Sequence, residues 1–197
     1  IVNGTTDRTE DVVAGYAAHW PGLRCIVMPG AVGKGGAVIR GFAEATGELV
    51  GFVDADGSTS PEAFQDLADR MGDADVIIAS RWRRDSTVDP RQPFVRRCTS
   101  RMFNLAIRLL FGMRFSDTQC GAKLMKRGAV HAVLPHLGIT RWAFDVDLLF
   151  QFKRAGFVIK EIPTTWRDVE GSKLAVTEAS LEMLAALVRL RLVYSPF

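Results

Sequence analysis

The sequence predicts an α/β fold, doubly wound on a mostly parallel sheet, and two observations carry that prediction. Strand and helix patterns alternate through the first 80 residues, the order that builds parallel sheets with crossover helices. The run Leu49-Val50-Gly51-Phe52-Val53 is apolar without alternation, as expected of a strand buried on both faces. It breaks at Asp54-Ala55-Asp56-Gly57, which places two carboxylates at the carboxyl end of the strand. Open α/β sheets bind ligands at that edge.

The elements follow from local signals. Ile1-Val2 reads as the last part of a strand whose beginning lies outside the sequence, and Asn3 to Asp7 as a turn rich in capping residues. Residues 10–19 read as a helix, 24–28 as a short strand, 30–36 as a glycine-rich loop and 37–45 as a helix stopped at Gly47. After the strand 49–53, Pro61 opens a helix reaching Met71, and 76–79 is a further strand. Beyond Arg81 helices take over: 91–111, basic and amphipathic, then 130–137 and 143–154. Residues 158–162 form a strand closing at Pro163, and 181–193 an apolar helix carrying Arg189 and Arg191. With no repeat or low-complexity linker, the division is one domain over 1–175, including the helix 91–111, and a C-terminal amphipathic helix within 176–197.

Composition narrows the classes. With 48% hydrophobic and 24% charged residues in 197, the chain has ordinary globular proportions and enough length for a sizeable core. Its net charge of +3 hides a cluster, Arg81, Arg83, Arg84, Arg91, Arg96, Arg97 and Arg101, with only Asp85 and Asp89 among them. Such a cluster suits phosphates of a nucleotide, a nucleic acid or a lipid head group. Cys25, Cys98 and Cys120 have neither an even count nor metal-ligand spacing, which suggests a reducing compartment. His19, His131 and His136 are scattered, so no zinc site is expected. No uninterrupted run approaches the roughly 20 apolar residues that span a bilayer.

Several segments carry candidate chemistry beside a plainer reading. Residues two apart on an extended chain point the same way, so Asp54 and Asp56 suit Mg²⁺ or Mn²⁺ held against a diphosphate; alternatively Asp54 starts an Asx-turn and Asp56 is solvated. Gly33-Lys34-Gly35-Gly36 can cradle phosphate on free N–H groups or simply turn. It is neither a P-loop, since Met28 and Gly35 stand where glycine and Ser or Thr are needed, nor a dinucleotide fingerprint, since Val38 replaces its third glycine. Asn3 and Asp7 touch a nucleoside or cap a turn. Asp117, Gln119 and Lys123 lie in a polar segment that turn chemistry explains equally well. Asp145 and Asp147 fall near a helix start, where acids complement the dipole or take part in catalysis. Trp166 to Lys173 is a solvated loop or a mobile lid whose Arg167 and Lys173 clamp a leaving diphosphate.

Taken in order, seven segments resemble family 2 glycosyltransferases with the GT-A fold, and within them the polyprenyl-phosphate (dolichyl-phosphate) glucosyl- and mannosyltransferases. They are NGTTDRT at 3–9, GKGGAVIRGF at 33–42, DADGSTSPE at 54–62, ASRW at 79–82, DTQCGAKLMKR at 117–127, WAFDVDLLF at 142–150 and IPTTWRDVEGSKL at 162–174. The resemblance implies a Rossmann-like three-layer sandwich. It also implies transfer of a hexose from UDP-glucose or GDP-mannose to a polyprenyl or dolichyl phosphate, with inversion and Mg²⁺ or Mn²⁺. Asp54 and Asp56 then correspond to the metal and diphosphate motif, and Asn3, Asp7, Lys34 and Gly35 to the nucleoside pocket. Arg81 corresponds to a phosphate-reaching arginine, Asp117, Gln119 and Lys123 to the acceptor-side loop, and Trp166, Ser172 and Lys173 to the closing loop. Asp117 or Asp145 orients the acceptor, with no obligatory base required.

Two departures accompany it. The family's first strand, with its Pro-x-Tyr-Asn-Glu-like turn, has no counterpart in residues 1–197, and Val2-Asn3 replaces two consecutive acids. The implied place is the cytoplasmic face of a membrane, with the chain peripheral or part of a larger membrane-anchored protein. Helices 91–111 and 181–193 either lie on the lipid surface or pack on the sheet. The alternatives are a family 2 transferase with a soluble or protein acceptor, and a nucleotide- or lipid-binding module without turnover. A second copy of the chain is a further partner class, whereas nucleic acid is not expected.

Overall fold

The computed structural model describes residues 1–90, 93–138, 143–167 and 176–194, and only the backbone of 176–183. Strand β1 (Val2–Asn3) pairs in parallel with β2 (Val27–Met28), joined through helix α1 (Thr9–Ala17). Helix α2 (Gly33–Glu44) leads to β3 (Leu49–Phe52), and α3 (Pro61–Asp69) leads to β4 (Val76–Ser80). Ser60 caps α3 by accepting the Ala63 N–H at 3.2 Å, with Pro61 in the first turn. Proline suits that position because its missing N–H would go unpaired there anyway.

The chain then adds β5 (Thr87–Asp89) and the long helix α4 (Phe94–Phe111), which ends at Gly112 in the left-handed conformation. Strand β6 (Lys123–Lys126), helix α5 (Arg127–Val133) and a 3₁₀ turn (Leu134–His136) precede α6 (Phe144–Arg154). The described chain closes with β7 (Ile159–Pro163), β8 (Thr165–Arg167) and α7 (Val176–Val193).

The main sheet has the order β3-β6-β4-β7. Strand β6 runs antiparallel to both β3 and β4, with Phe52 and Ile78 each opposite Lys123, while β4 and β7 are parallel. Three of the four strands therefore share one direction, as the sequence predicts. The reversed β6 was not foreseen: Leu124-Met125 is only two apolar residues inside a polar segment, too short for a periodicity signal. The separate pair β5–β8 was not foreseen either.

Strand β4 separates two apolar layers. Val76 and Ile78 join Phe42, Ile107, Phe144 and Phe152 on one side, and Ile77 and Ala79 join Leu67, Ile162 and Trp166 on the other. All five β4 residues are buried. The expectation that 49–53 is buried on both faces fails by contrast. Val50 is buried, but Leu49 and Val53 are 40% and 46% exposed. Exposure alternates along the run, Leu49, Gly51 and Val53 against Val50 and Phe52, so β3 buries one face and leaves the other open to water.

Most predicted boundaries shift by a few residues, except that α2 begins at Gly33 and thus draws in the glycine run expected as a loop. Residues 91 and 92 of the predicted 91–111 helix lie outside the described residues.

Candidate active site

The carboxyl end of β3 hands its backbone to the turn that carries Asp54 and Asp56. The Asp54 N–H donates to the Gly121 carbonyl at 3.0 Å, which extends the β3–β6 ladder one step beyond the strand. Gly121 has no side chain because the Asp54 carboxylate fills the place where a Cβ would sit. Asp56 accepts from the Ser58 N–H at 2.9 Å, with Gly57 between them at φ +74°. The Asx-turn thus belongs to Asp56, not to Asp54 as the plainer reading had it. Asp54 is instead ion-paired, its Oδ1 lying 2.8 Å from Lys34 Nζ.

Lys34 begins a chain of alternating charge. Its ammonium also meets Asp145 Oδ2 at 3.1 Å, and Asp145 Oδ1 takes the fully buried Lys123 Nζ at 2.6 Å. Lys123 also donates to the Cys120 carbonyl at 2.7 Å. A cation in the first turn of α2 opposes the helix dipole; the two carboxylates offset this. What brings Lys34 to Asp145 is Gly35, where a Cβ would stand 2.7 Å from the Phe144 ring, so the starts of α2 and α6 abut. Burial opposes the Lys34 charge, but Asp145 and Asp54 outweigh it and hold its pKa above the ordinary lysine range. Burial likewise pushes Asp145 up, and Lys123 and Lys34 more than reverse that push.

A second cluster sits where β4 ends. Asp117, wholly buried, accepts from Arg81 three times: backbone N–H at 3.0 Å and Nε at 2.7 Å on Oδ2, and Nη2 at 3.0 Å on Oδ1. Burial opposes both charges, yet each holds its partner ionised, Asp117 below and Arg81 above its usual range. The loop is fixed from behind by Glu161 of β7, which accepts the Ser116 and Asp117 N–H groups at 2.8 Å each. Asn104 of α4 accepts from Thr118 Oγ1 at 3.1 Å. The Arg81 guanidinium lies 5.3 Å from the centre of the Trp166 ring, and Arg101 lies 4.9 Å from that of Trp82. Burial raises the Cys120 thiol to about 11, which removes it as a nucleophile.

Asp54, Lys34, Asp145 and Lys123 are thus linked by ion pairs at one edge of the sheet, with Gly35 next to Lys34 and Asp56 in the turn after Asp54, and Arg81, Asp117 and Trp166 form a second cluster. Gln119 joins the latter through its N–H, 3.3 Å from Asp117 Oδ1. Trp166 lies on a strand and not in a loop: it is buried on β8 and bridges to Thr59, while Arg167 N–H donates to the Ser58 carbonyl at 2.9 Å. Ser172 and Lys173 lie outside the described residues. Asn3 accepts the Val32 N–H at 2.8 Å and so ties β1 to the start of α2. Asp7 takes up the capping alternative, accepting from the hydroxyls and backbone of the turn before α1. The Thr9 and Thr5 hydroxyls lower its pKa to about 2.

Asp117 and Asp145 have both oxygens engaged, which suits them to hold cations and unsuits them as bases. Asp147 is structural, accepting the Tyr194 hydroxyl at 2.7 Å. Gly121, Glu161 and Asn104 were not singled out in the sequence. Gly121 stands inside the polar segment 117–127, where a close backbone approach was the available clue; Glu161 and Asn104 left none.

The donors fit a hard divalent cation in part. Asp54 and Asp56 offer carboxylate oxygens, and among the described residues no group of three or more His, Cys, Asp or Glu could hold a metal alone. That donor set matches Mg²⁺ or Mn²⁺ shared with ligand phosphates, since such ions are held by one or two carboxylates plus substrate oxygens.

The lowered carboxylates have a consequence for stability. Folded Asp117 and Asp145 titrate below their unfolded values, so their contribution is complete above the unfolded pKa of about 3.9 and is lost as pH falls through the folded values. Thermal midpoints measured against pH are expected to stay level above about pH 5 and drop steeply below about pH 4. A level midpoint down to pH 3 would contradict this arrangement.

The family model for glycosyl transferase family 2 matches residues 1–134. A dolichyl-phosphate beta-glucosyltransferase of Dictyostelium discoideum is 33% identical over 202 residues, covering 98% of this chain and 62% of that protein. The enzyme of the same name from Saccharomyces cerevisiae is 31% identical, over 98% of this chain and 63% of its own. The chain spans about three fifths of these relatives' length. Among solved structures, glucosyl-3-phosphoglycerate synthase of Mycobacterium tuberculosis with Mn²⁺, UDP and its product superposes with a TM-score of 0.65. At 19% identity it covers 98% of this chain and 68% of its own. That likeness concerns the fold, the GT-A arrangement of helices around a mostly parallel sheet. Matched by the family model over more than half its length, and resembling dolichyl-phosphate beta-glucosyltransferases in sequence, the chain belongs to glycosyltransferase family 2.

Proposed function

We propose that this chain carries the catalytic site for transfer of glucose from UDP-glucose to a dolichyl-type polyprenyl phosphate, with inversion at the anomeric carbon. The observation that carries the reading is the match, over 98% of the chain, to relatives named dolichyl-phosphate beta-glucosyltransferase. Those names favour a glucosyl over a mannosyl donor. The site supports it chemically.

Asp54 and Asp56 would hold Mg²⁺ or Mn²⁺, which would supply charge neutralisation to the diphosphate. Lys34 orients Asp54 and adds a positive charge beside it. Asn3, Asp7 and Gly35 shape the turns and the helix start beside the proposed nucleoside pocket, and Gln119 lies on the acceptor side. The Arg81 guanidinium, fixed by Asp117 and stacked on Trp166, is pre-set to meet a phosphate without reorganisation. By the family pattern, Ser172 and Lys173 belong to the segment that would contact the donor diphosphate. An acceptor phosphate oxygen attacks the anomeric carbon, and the bond to the UDP oxygen breaks with its electron pair leaving on UDP. The acceptor needs no strong base because a phosphate monoester is largely ionised near pH 7, its second pKa being about 6. Positioning and charge stabilisation therefore dominate. A lipid-borne acceptor implies that the reaction runs at a membrane surface, and the face we propose is the cytoplasmic one.

Calorimetry with UDP and GDP, with and without Mn²⁺, tests the donor. Transfer from UDP-glucose to a polyprenyl phosphate, against a water-soluble phosphorylated acceptor, tests the rest. Metal-dependent UDP binding with transfer only to the lipid is the expected result. Equal transfer to the soluble acceptor would replace the lipid reading, and UDP binding without transfer to either would leave a binding module.

A further inference from the structure

Asp54 has both carboxylate oxygens committed within the chain. Oδ2 lies over Gly121, in the place a Cβ of that residue would take, and Oδ1 holds Lys34 Nζ at 2.8 Å. The backbone beneath is pinned by the bond from the Asp54 N–H to the Gly121 carbonyl. The oxygen that can face a ligand is therefore Oδ1, and Lys34 already has it. An ammonium and a divalent ion on one carboxylate oxygen would stand within a few ångströms of each other, where like charges repel strongly.

Of the two partners Lys34 is the one able to move. Its ammonium also meets Asp145 Oδ2 at 3.1 Å and lies 5.5 Å from the centre of the Phe52 ring. Neither contact involves Asp54, so the ammonium can give up Asp54 without being stranded, and a lysine stem is flexible enough to follow. Asp145 stays in place, buried and held through Oδ1 by Lys123. Lys123 cannot take the same part, because it is fully buried and also bonded to the Cys120 carbonyl. The side chains of Lys34 and Asp54 are 39% and 36% exposed. The row of charges is thus closed at its Lys123 end and open to exchange at its Asp54 end.

We infer that Lys34 is an internal cation that competes with Mg²⁺ or Mn²⁺ for Asp54 Oδ1 and retreats onto Asp145 when the ion binds. The inference rests on the reading of Asp54 and Asp56 as the metal and diphosphate site. It adds to the orienting role of Lys34 that the same contact has to be given up. The chain by itself resists the ion, because binding it breaks an ion pair. A nucleoside diphosphate offsets that loss, since its oxygens offer the released ammonium a new partner. Lys34 thereby couples the two ligands, and by linkage each raises the affinity for the other by the same factor.

Lys34→Met removes the competitor and leaves Asp145 paired with Lys123, so the variant is expected to fold, which circular dichroism checks. Mn²⁺ binding is read from the loss of the free-ion electron paramagnetic resonance signal, with and without UDP. Without UDP, Lys34→Met should bind Mn²⁺ about tenfold more tightly than the wild type, and UDP should then raise its Mn²⁺ affinity far less than it does in the wild type. Lys34→Arg keeps the charge and should bind the ion alone as weakly as the wild type.

A folded Lys34→Met that binds Mn²⁺ no better than the wild type overturns the competition, and one that binds it worse leaves Lys34 only the orienting role. An equal gain in Lys34→Arg overturns it too, since the charge would not be the cause. The inference and the reading beneath it fail separately. If Asp54→Asn leaves Mn²⁺ binding unchanged in both the wild type and Lys34→Met, the ion sits elsewhere and the metal site itself falls. If Asp54→Asn abolishes binding while Lys34→Met brings no gain, the site stands and the competition alone falls.

Discussion

Gly121→Ala is expected to abolish metal-dependent UDP binding about as thoroughly as Asp54→Asn/Asp56→Asn, although residue 121 contributes no side chain to the site. A Cβ at 121 would fall on the Asp54 carboxylate. The Asp54 backbone is pinned by its N–H bond to the Gly121 carbonyl, so the side chain has to swing away. It then leaves Lys34. Misaligning a group that orients metal ligands typically costs 10–100-fold in affinity, and because the proposed ligand itself would be displaced, about 100-fold is the expectation. Calorimetry with UDP and Mn²⁺ measures it, with circular dichroism confirming the fold. Gly128→Ala, where an added Cβ meets nothing within 4 Å, should bind as wild type does. Retained metal-dependent binding in Gly121→Ala would mean that Asp54 does not hold the ion.

Arg81→Met is expected to be the most destabilising change in the site. Asp117 is wholly buried and Arg81 nearly so, their side chains 0% and 13% exposed. Removing one partner of such a pair leaves an uncompensated charge and costs about 3–5 kcal/mol. At roughly 2–4 °C per kcal/mol for a domain of this size, the midpoint should fall by about 10 °C. Adding Asp117→Asn removes the stranded charge and should restore part of that loss, a coupling that a double-mutant cycle resolves. A single Arg81→Met variant melting within a degree or two of wild type would show that Asp117 finds another cation or stays wet.

The elements that were legible are those whose cause is local. The α3 start is written in Ser60-Pro61, and the Asp pair announces itself as polar residues ending an apolar run. Even there the assignment of roles needed neighbours. Asp54 and Asp56 look equivalent in sequence, yet one is paired with Lys34 and the other closes the turn to Ser58. Strand β6 escaped because its four residues include two lysines, and Lys123 is buried only because Asp145 lies above it, 22 positions away in the chain. Trp166 read as part of a lid because loops and edge strands share a composition. It is buried because it belongs to the apolar cluster that holds Ile162, Ile77 and Cys120, residues of other segments.

By itself the sequence determined the α/β class, the family resemblance and the Asp pair at a strand end, since periodicity, turn chemistry and motif order are properties of neighbouring residues. Only the tertiary structure decided which carboxylates are engaged, where Gly121 makes room for Asp54, and which side of α4 stays open. Those outcomes depend on groups from distant segments meeting within a few ångströms, where the energy of burying a charge or a side chain is set by what lies opposite and not by what comes next in the chain.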